Sequence, residues 1–125
     1  MHENDLSYAI RGAAFKVYNE LGPGLLESVY EAAMAFELEK EGYTVHKQKD
    51  LPVNYQNQRL ELGFRLDLLV NDSVIIEVKS VEKLLPVHHK QLLTYLKLTN
   101  LKLGLLINFN TDNLRGNIKR MVNNL

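Results

Sequence analysis

From Leu60 to Lys79 the chain alternates apolar and polar positions with a period of two, the pattern of paired strands. Leu60, Leu62, Phe64, Leu66 and Leu68 interleave with Glu61, Gly63, Arg65 and Asp67, while Val74, Ile76 and Val78 interleave with Ile75, Glu77 and Lys79. Asn71, Asp72 and Ser73 between the runs are turn formers, so the pattern predicts a β-hairpin. A loop made of all three sets Asp67 opposite Glu77 with Lys79 on the same face, and opposed Cβ atoms in such a pair lie about 4.5–5.5 Å apart. A loop of Asn71 and Asp72 alone shifts the register and turns Glu77 to the other face. The expectation is therefore an odd or bulged loop.

Helical spacing governs the flanks. Leu6, Ile10, Ala13, Ala14, Val17, Tyr18 and Leu21 predict a first helix, with Asp5 or Ser7 as N-cap and Gly22-Pro23-Gly24 as stop. A second helix is predicted from about Leu26 to Glu41, closed by Gly42, with Val29, Ala33, Phe36 and Tyr30 turned inward and Glu37, Glu39 and Glu41 solvated. Tyr43 to Lys49 reads as the first strand, and another begins at Leu51, where Pro52 marks an edge. Gln56-Asn57-Gln58 is a turn into the long strand. Pro86 suits the first position of a helix reaching about Thr99, with Leu92, Leu93, Leu96 and Leu98 for the core and His88, Gln91 and Tyr95 on a polar stripe. Leu101 to Asn108 is nearly continuously apolar, as a central strand covered on both faces would be. Arg115 to Leu125 fits a short helix and an extended segment equally.

These elements amount to one α/β domain, and 125 residues at 46% hydrophobic and 24% charged suffice for one core. The absence of cysteine excludes disulfides and thiolate metal sites and suits a reducing cytosol. The start is polar and acidic and the apolar runs fall short of a membrane span, so the chain reads as cytoplasmic, with no membrane partner. Net charge is zero, yet residues 1–81 hold 8 Lys plus Arg against 13 Asp plus Glu, and residues 82–125 hold 7 against 2. A basic rim around an acidic centre suits a phosphodiester substrate. Uneven solubilising charge accounts for the same counts equally well.

Two carboxylates crowded beside an ammonium can relieve their repulsion if one keeps its proton or pairs with Lys79. They can also hold a divalent cation such as Mg²⁺, with the lysine placed to hold attacking water or offset charge developing on a phosphate. Glu27 and Glu31 lie one turn apart at the start of the second helix. The helix dipole accounts for an acid there as readily as a ligand role does. His88 and His89 have no partner at a metal-ligand spacing, so no zinc site is read.

Gly24-Leu25-Leu26-Glu27-Ser28-Val29-Tyr30, followed by Glu31, stands upstream of Asp67 and Glu77-Val78-Lys79. In the order of these parts the chain resembles the PD-(D/E)XK nuclease superfamily, and within it the small GxxExxY proteins. The resemblance implies a restriction-endonuclease-like mixed β-sheet with a central hairpin flanked by α-helices. It matches Asp67 to the first acid, Glu77 to the second and Lys79 to the lysine, with Leu66 where the superfamily name has proline. It implies Glu27 as the helix-borne metal ligand, with Glu31 the runner-up, and Asp67, Glu77 and the Val78 carbonyl completing the set. Gln91-x-x-x-Tyr95 resembles a motif that lies beside the active site in RecB-like members. The expected activity is Mg²⁺- or Mn²⁺-dependent hydrolysis of phosphodiester bonds in nucleic acid, DNA first. Two other classes stay open on the same fold: a non-catalytic nucleic-acid-binding or scaffold domain, and a partner-binding component of a larger complex, with specificity supplied by a homodimer or a protein partner.

Overall fold

The computed structural model describes residues 1–125 apart from the side chain of Leu62. Two helices, α1 (Glu3–Leu21) and α2 (Glu27–Lys40), precede β1 (Val45–Tyr55), β2 (Gln58–Val70) and β3 (Val74–Lys79). After them come α3 (Pro86–Thr99), β4 (Leu103–Asn108), a single 3₁₀ turn at Arg115–Asn117 and β5 (Ile118–Val122). The five strands form one sheet in chain order. β2 runs antiparallel to both β1 and β3, β3 and β4 are parallel across α3, and β5 returns antiparallel to β4. The mixed α/β architecture with a hairpin at its centre is the restriction-endonuclease-like arrangement expected.

Each face of the sheet buries its own core. Leu6, Ile10, Ala13, Ala14 and Val17 of α1 and Tyr30, Met34, Ala35 and Leu38 of α2 cover Leu68, Val70, Val74, Ile76, Val78 and the odd-numbered positions of β4. On the other face Leu92 and Leu96 of α3 pack on Leu66, Leu69, Ile75 and Leu106. Gly104 lets α3 approach, because a Cβ there would stand 2.8 Å from Leu92 Cδ1.

Several local expectations are corrected. α1 starts before Asp5, since His2 Nδ1 accepts the Asn4 N–H at 3.0 Å and caps the helix earlier. In α2 the buried stripe is Tyr30, Met34, Ala35 and Leu38, while Val29 and Phe36 face solvent at 40% and 64% exposure. The helix carries two apolar stripes, and Tyr30 decides between them: its ring stacks on Phe109 with centroids 4.5 Å apart. Glu37 is half-buried beside Lys40 Nζ at 3.3 Å instead of solvated. Leu98 of α3 is exposed, because two residues past the buried Leu96 bring it to the opposite side of the helix.

β1 is one strand where two were expected. Pro52 sits in a bulge between Leu51 and Val53, and opposite it Gly63 leaves room that a Cβ would fill, 2.1 Å from the Leu51 carbonyl oxygen. Gln56 and Asn57, with φ 49° and 62°, make the left-handed pair that closes a tight hairpin. The end of the chain is extended, as β5. The Asn71-Asp72-Ser73 loop is as the parity predicts: Leu68, Leu69 and Val70 pair with Ile76, Ile75 and Val74, and the Ser73 N–H donates to the Val70 carbonyl at 2.9 Å. Leu66 and Leu68, expected on one face, belong to opposite cores. β2 turns over between them, at Asp67.

Candidate active site

β3 carries Ile75, Glu77 and Lys79 toward its carboxyl end on the α3 side of the sheet. Ile75 packs in the α3 core and Glu77 lies across from Leu106, which packs there too. Ladder pairing between β2 and β3 stops at Leu68 and Ile76. One step further, side chains replace the ladder: the Asp67 N–H donates to Glu77 Oε2 at 3.0 Å, and the Val78 N–H donates to Asp67 Oδ2 at 2.9 Å. Each carboxyl thus satisfies a main-chain donor of the facing strand, which holds both side chains in place and leaves one oxygen of each outside these bonds.

The electrostatics follow from that confinement. Glu77 is 3% exposed. Burial, then the Asp67 carboxylate, pushes it up to about 8, against the pull of the Asp67 N–H and the Lys79 ammonium. Burial also raises Asp67, opposed by the Val78 N–H and by Lys79. Glu31 reaches the same spot from α2. Burial first, then Asp67 and then Glu27 push it up to about 7, against the Gln48 amide that donates to it. Tyr95 of α3 stacks on Phe64 with centroids 4.8 Å apart, and its hydroxyl is raised by burial and by the charges of Glu77 and Asp67.

The Gly24-to-Tyr30 stretch fastens α2 to the end of β3. Gly24 has φ 97°, a conformation that favours glycine. Glu27 Oε1 accepts the Ser80 N–H at 3.2 Å, and the Ser80 hydroxyl donates to the Leu25 carbonyl at 2.6 Å. The Tyr30 hydroxyl donates to the Gly22 carbonyl at 2.6 Å and accepts the Leu25 N–H at 3.1 Å. Spacing in this stretch therefore has a structural basis: a turn glycine, an acid three residues on at the first position of α2, and an aromatic hydroxyl that folds back on the loop.

Of the residues singled out from the sequence, Asp67, Glu77 and Lys79 come together, and Glu27, Glu31 and Tyr95 come to them. The Val78 side chain is buried in the α1–α2 core, with its N–H on Asp67. Gln91 lies exposed on α3. Three participants went unread. Ser80 anchors Glu27, and its place directly after Lys79 was the available signal. Asn108, 1% exposed at the end of an apolar strand, accepts the Val81 N–H at 3.0 Å and donates to the Val81 carbonyl at 2.9 Å, fixing the chain just past Lys79. Gln48 donates from Nε2 to Glu31 Oε1 at 2.6 Å, and its polar strand position gave no sign of this.

Whether this set suits a metal turns on donor chemistry. Among the described residues no three Asp, Glu, His or Cys side chains stand converged as a ligand set. The acids that meet here are hard oxygen donors, and burial, reinforced by their repulsion, drives Glu31 and Glu77 to hold protons near neutrality. A hard divalent cation is the partner that such a group accepts in place of protons.

A family model described as the PD-(D/E)XK nuclease superfamily matches residues 4–121. No curated protein and no solved structure gives a match. Among the described residues no helix is long and apolar enough to cross a membrane.

Proposed function

Because the chain belongs to the PD-(D/E)XK nuclease superfamily, we propose that it is a nuclease of the GxxExxY kind that hydrolyses phosphodiester bonds in nucleic acid, with DNA as its first substrate. The observation that carries this reading is the reciprocal hold between Asp67 and Glu77 at the point where β2 and β3 stop pairing. It keeps two mutually repelling carboxyls side by side, in register with Lys79. Asp67 and Glu77 would hold Mg²⁺ or Mn²⁺, with Glu27 and the Val78 carbonyl completing the set. Bound there, the ion supplies Lewis-acid polarisation of the scissile phosphate.

The chain's own groups do the rest. Lys79, whose charge is felt by both carboxyls, orients the attacking water and offsets charge developing on the phosphate. Tyr95, with Phe64 stacked behind it, steadies Lys79 or a phosphate oxygen, and Gln91 does so from one turn away. Asn108 keeps the backbone after Lys79 from shifting. The test is a metal-dependence assay on plasmid, linear duplex, single-stranded DNA and RNA. Cleavage is expected with Mg²⁺ or Mn²⁺, absent in chelator, lost in Lys79→Ala and retained in Lys83→Ala, since Lys83 is exposed beyond the strand. Binding without cleavage on every substrate class moves the reading to a non-catalytic nucleic-acid-binding domain.

A further inference from the structure

Gln48 has φ 51° in the middle of β1, a left-handed backbone that strands do not use and that is unfavourable for any residue with a Cβ. Strain of this kind survives only where the surroundings impose it, and it concentrates at functional sites. The pairs on either side, Lys47 with Leu68 and Lys49 with Leu66, keep one register. Gln48 therefore faces Asp67 with no residue inserted in either strand. Both strands turn over at this pair. Val45 and Leu68 pack in the α1–α2 core, whereas Leu51 and Leu66 pack in the α3 core. That turnover sets the direction in which Asp67 leaves the backbone. The Gln48 side chain is exposed and packs in neither core, yet its amide donates to Glu31 at 2.6 Å.

We infer that Gln48 is a positioning residue for the metal site: its left-handed backbone aims Asp67, and its amide holds Glu31 against Asp67 so that both carboxyls are presented to one divalent cation. The inference rests on the metal-site reading above and adds Glu31 to it. The change of face explains a left-handed backbone at this position, and glycine would supply it without strain; what glycine would lack is the amide that holds Glu31. Orientation of a ligand by a hydrogen-bond partner outside the ligand set is a general feature of metal sites, and loss of such a partner weakens metal affinity by about 10–100-fold.

The experiment compares wild type with Gln48→Ala and Gln48→Gly by calorimetric Mn²⁺ titration and by melting in chelator, and repeats Gln48→Gly in a Glu31→Gln background. Glycine adopts the left-handed backbone freely, so Gln48→Gly is expected to melt at or above Gln48→Ala. Both variants are expected to bind Mn²⁺ about tenfold more weakly than wild type, although their stabilities differ. In the Glu31→Gln background Gln48→Gly is expected to change nothing further. Wild-type Mn²⁺ affinity in Gln48→Gly, with a loss in Gln48→Ala that follows its melting temperature, would overturn the inference and leave Gln48 a strained strand residue. An undiminished tenfold loss in the Glu31→Gln background would overturn the link to Glu31. A wild-type protein that binds no Mn²⁺ removes the metal-site reading and this inference together, a result recognisable before any substitution is made.

Discussion

Asp67 and Glu77 face each other because the residues between them number an odd count, and parity of that kind is visible in a sequence. What their closeness does to protons can be worked through with its sign. In the unfolded chain a glutamate titrates near 4.5, whereas in the fold Glu31 does so at about 7 and Glu77 at about 8. The folded state therefore binds more protons than the unfolded one between those values, and the stability they contribute is complete below about 4.5 and lost as pH rises through 7 and 8. In chelator, wild type is expected to lose stability over that window relative to Glu77→Gln, whose amide has no proton to shed. A melting-temperature difference between the two that stays flat with pH contradicts the assignment. Asp67→Asn keeps an oxygen for the Val78 N–H, so it is expected to melt no lower than wild type in chelator and to gain nothing from Mg²⁺ or Mn²⁺. Wild type should gain, by about 2.7 kcal/mol at one hundred times the dissociation constant. If Asp67 were instead the structural partner of Lys79, removing it would strand a charge and lower stability by about 3–5 kcal/mol for a fully buried pair. Gln48, Ser80 and Asn108 were not legible in the same way. Their roles depend on which main-chain or carboxyl group lies opposite in space, and no periodicity encodes that.

At the scale of elements, α3 and the β2–β3 hairpin stand where patterning put them, since Pro86 presets the helix start and the three-residue loop gives the pairing that sets Asp67 toward Glu77. Patterning misplaced the inner face of α2, because Leu26, Val29, Ala33 and Phe36 form one apolar stripe and Tyr30, Met34 and Leu38 another. Spacing alone ranks them equally. The tie is broken by a tertiary contact, the stack of Tyr30 on Phe109, and by the two hydrogen bonds its hydroxyl makes to the loop before α2. Likewise Pro52 looked like a strand boundary, but a bulge absorbs its missing donor and β1 runs on. The tyrosine of the Gly24-to-Tyr30 stretch is thus argued to be a loop fastener. Tyr30→Phe should retain the stack yet leave the Gly22 carbonyl and the Leu25 N–H without their partner, lowering the free energy of unfolding by about 1–3 kcal/mol. Chemical denaturation checks this. An unchanged midpoint means that water replaces the hydroxyl without loss.

Across the whole molecule, the basic residues of the C-terminal third were legible as a count but not as a surface. The sheet divides them. Lys90 and Lys97 stand exposed on α3, and Lys119, opposite Leu106, leaves β5 on that same side. Arg120, opposite Leu105, leaves on the α1–α2 side and donates to Asn4 Oδ1 at 2.6 Å, while Arg115 lies over the Phe15 ring of α1, 5.8 Å from its centroid. Glu77 and Lys79 belong to the α3 side, so a nucleic-acid backbone drawn to them passes the lysines rather than the arginines. Each phosphate contact releases counterions, and losing one lowers the slope of log K against log salt by about one. Neutralising Lys90, Lys97 and Lys119 together should therefore flatten the salt dependence of binding by roughly two to three in that slope. Neutralising Arg115 and Arg120 should leave the slope near the wild-type value and register as a loss of stability, since those side chains tie the end of the chain to α1. Salt titrations of the two combined variants, on duplex DNA with the metal chelated, separate the cases. Wild-type slopes for both would mean that neither side tracks the backbone. A drop confined to the arginine variant would place the nucleic acid on the α1–α2 face, away from Lys79, and would set binding apart from the proposed chemistry.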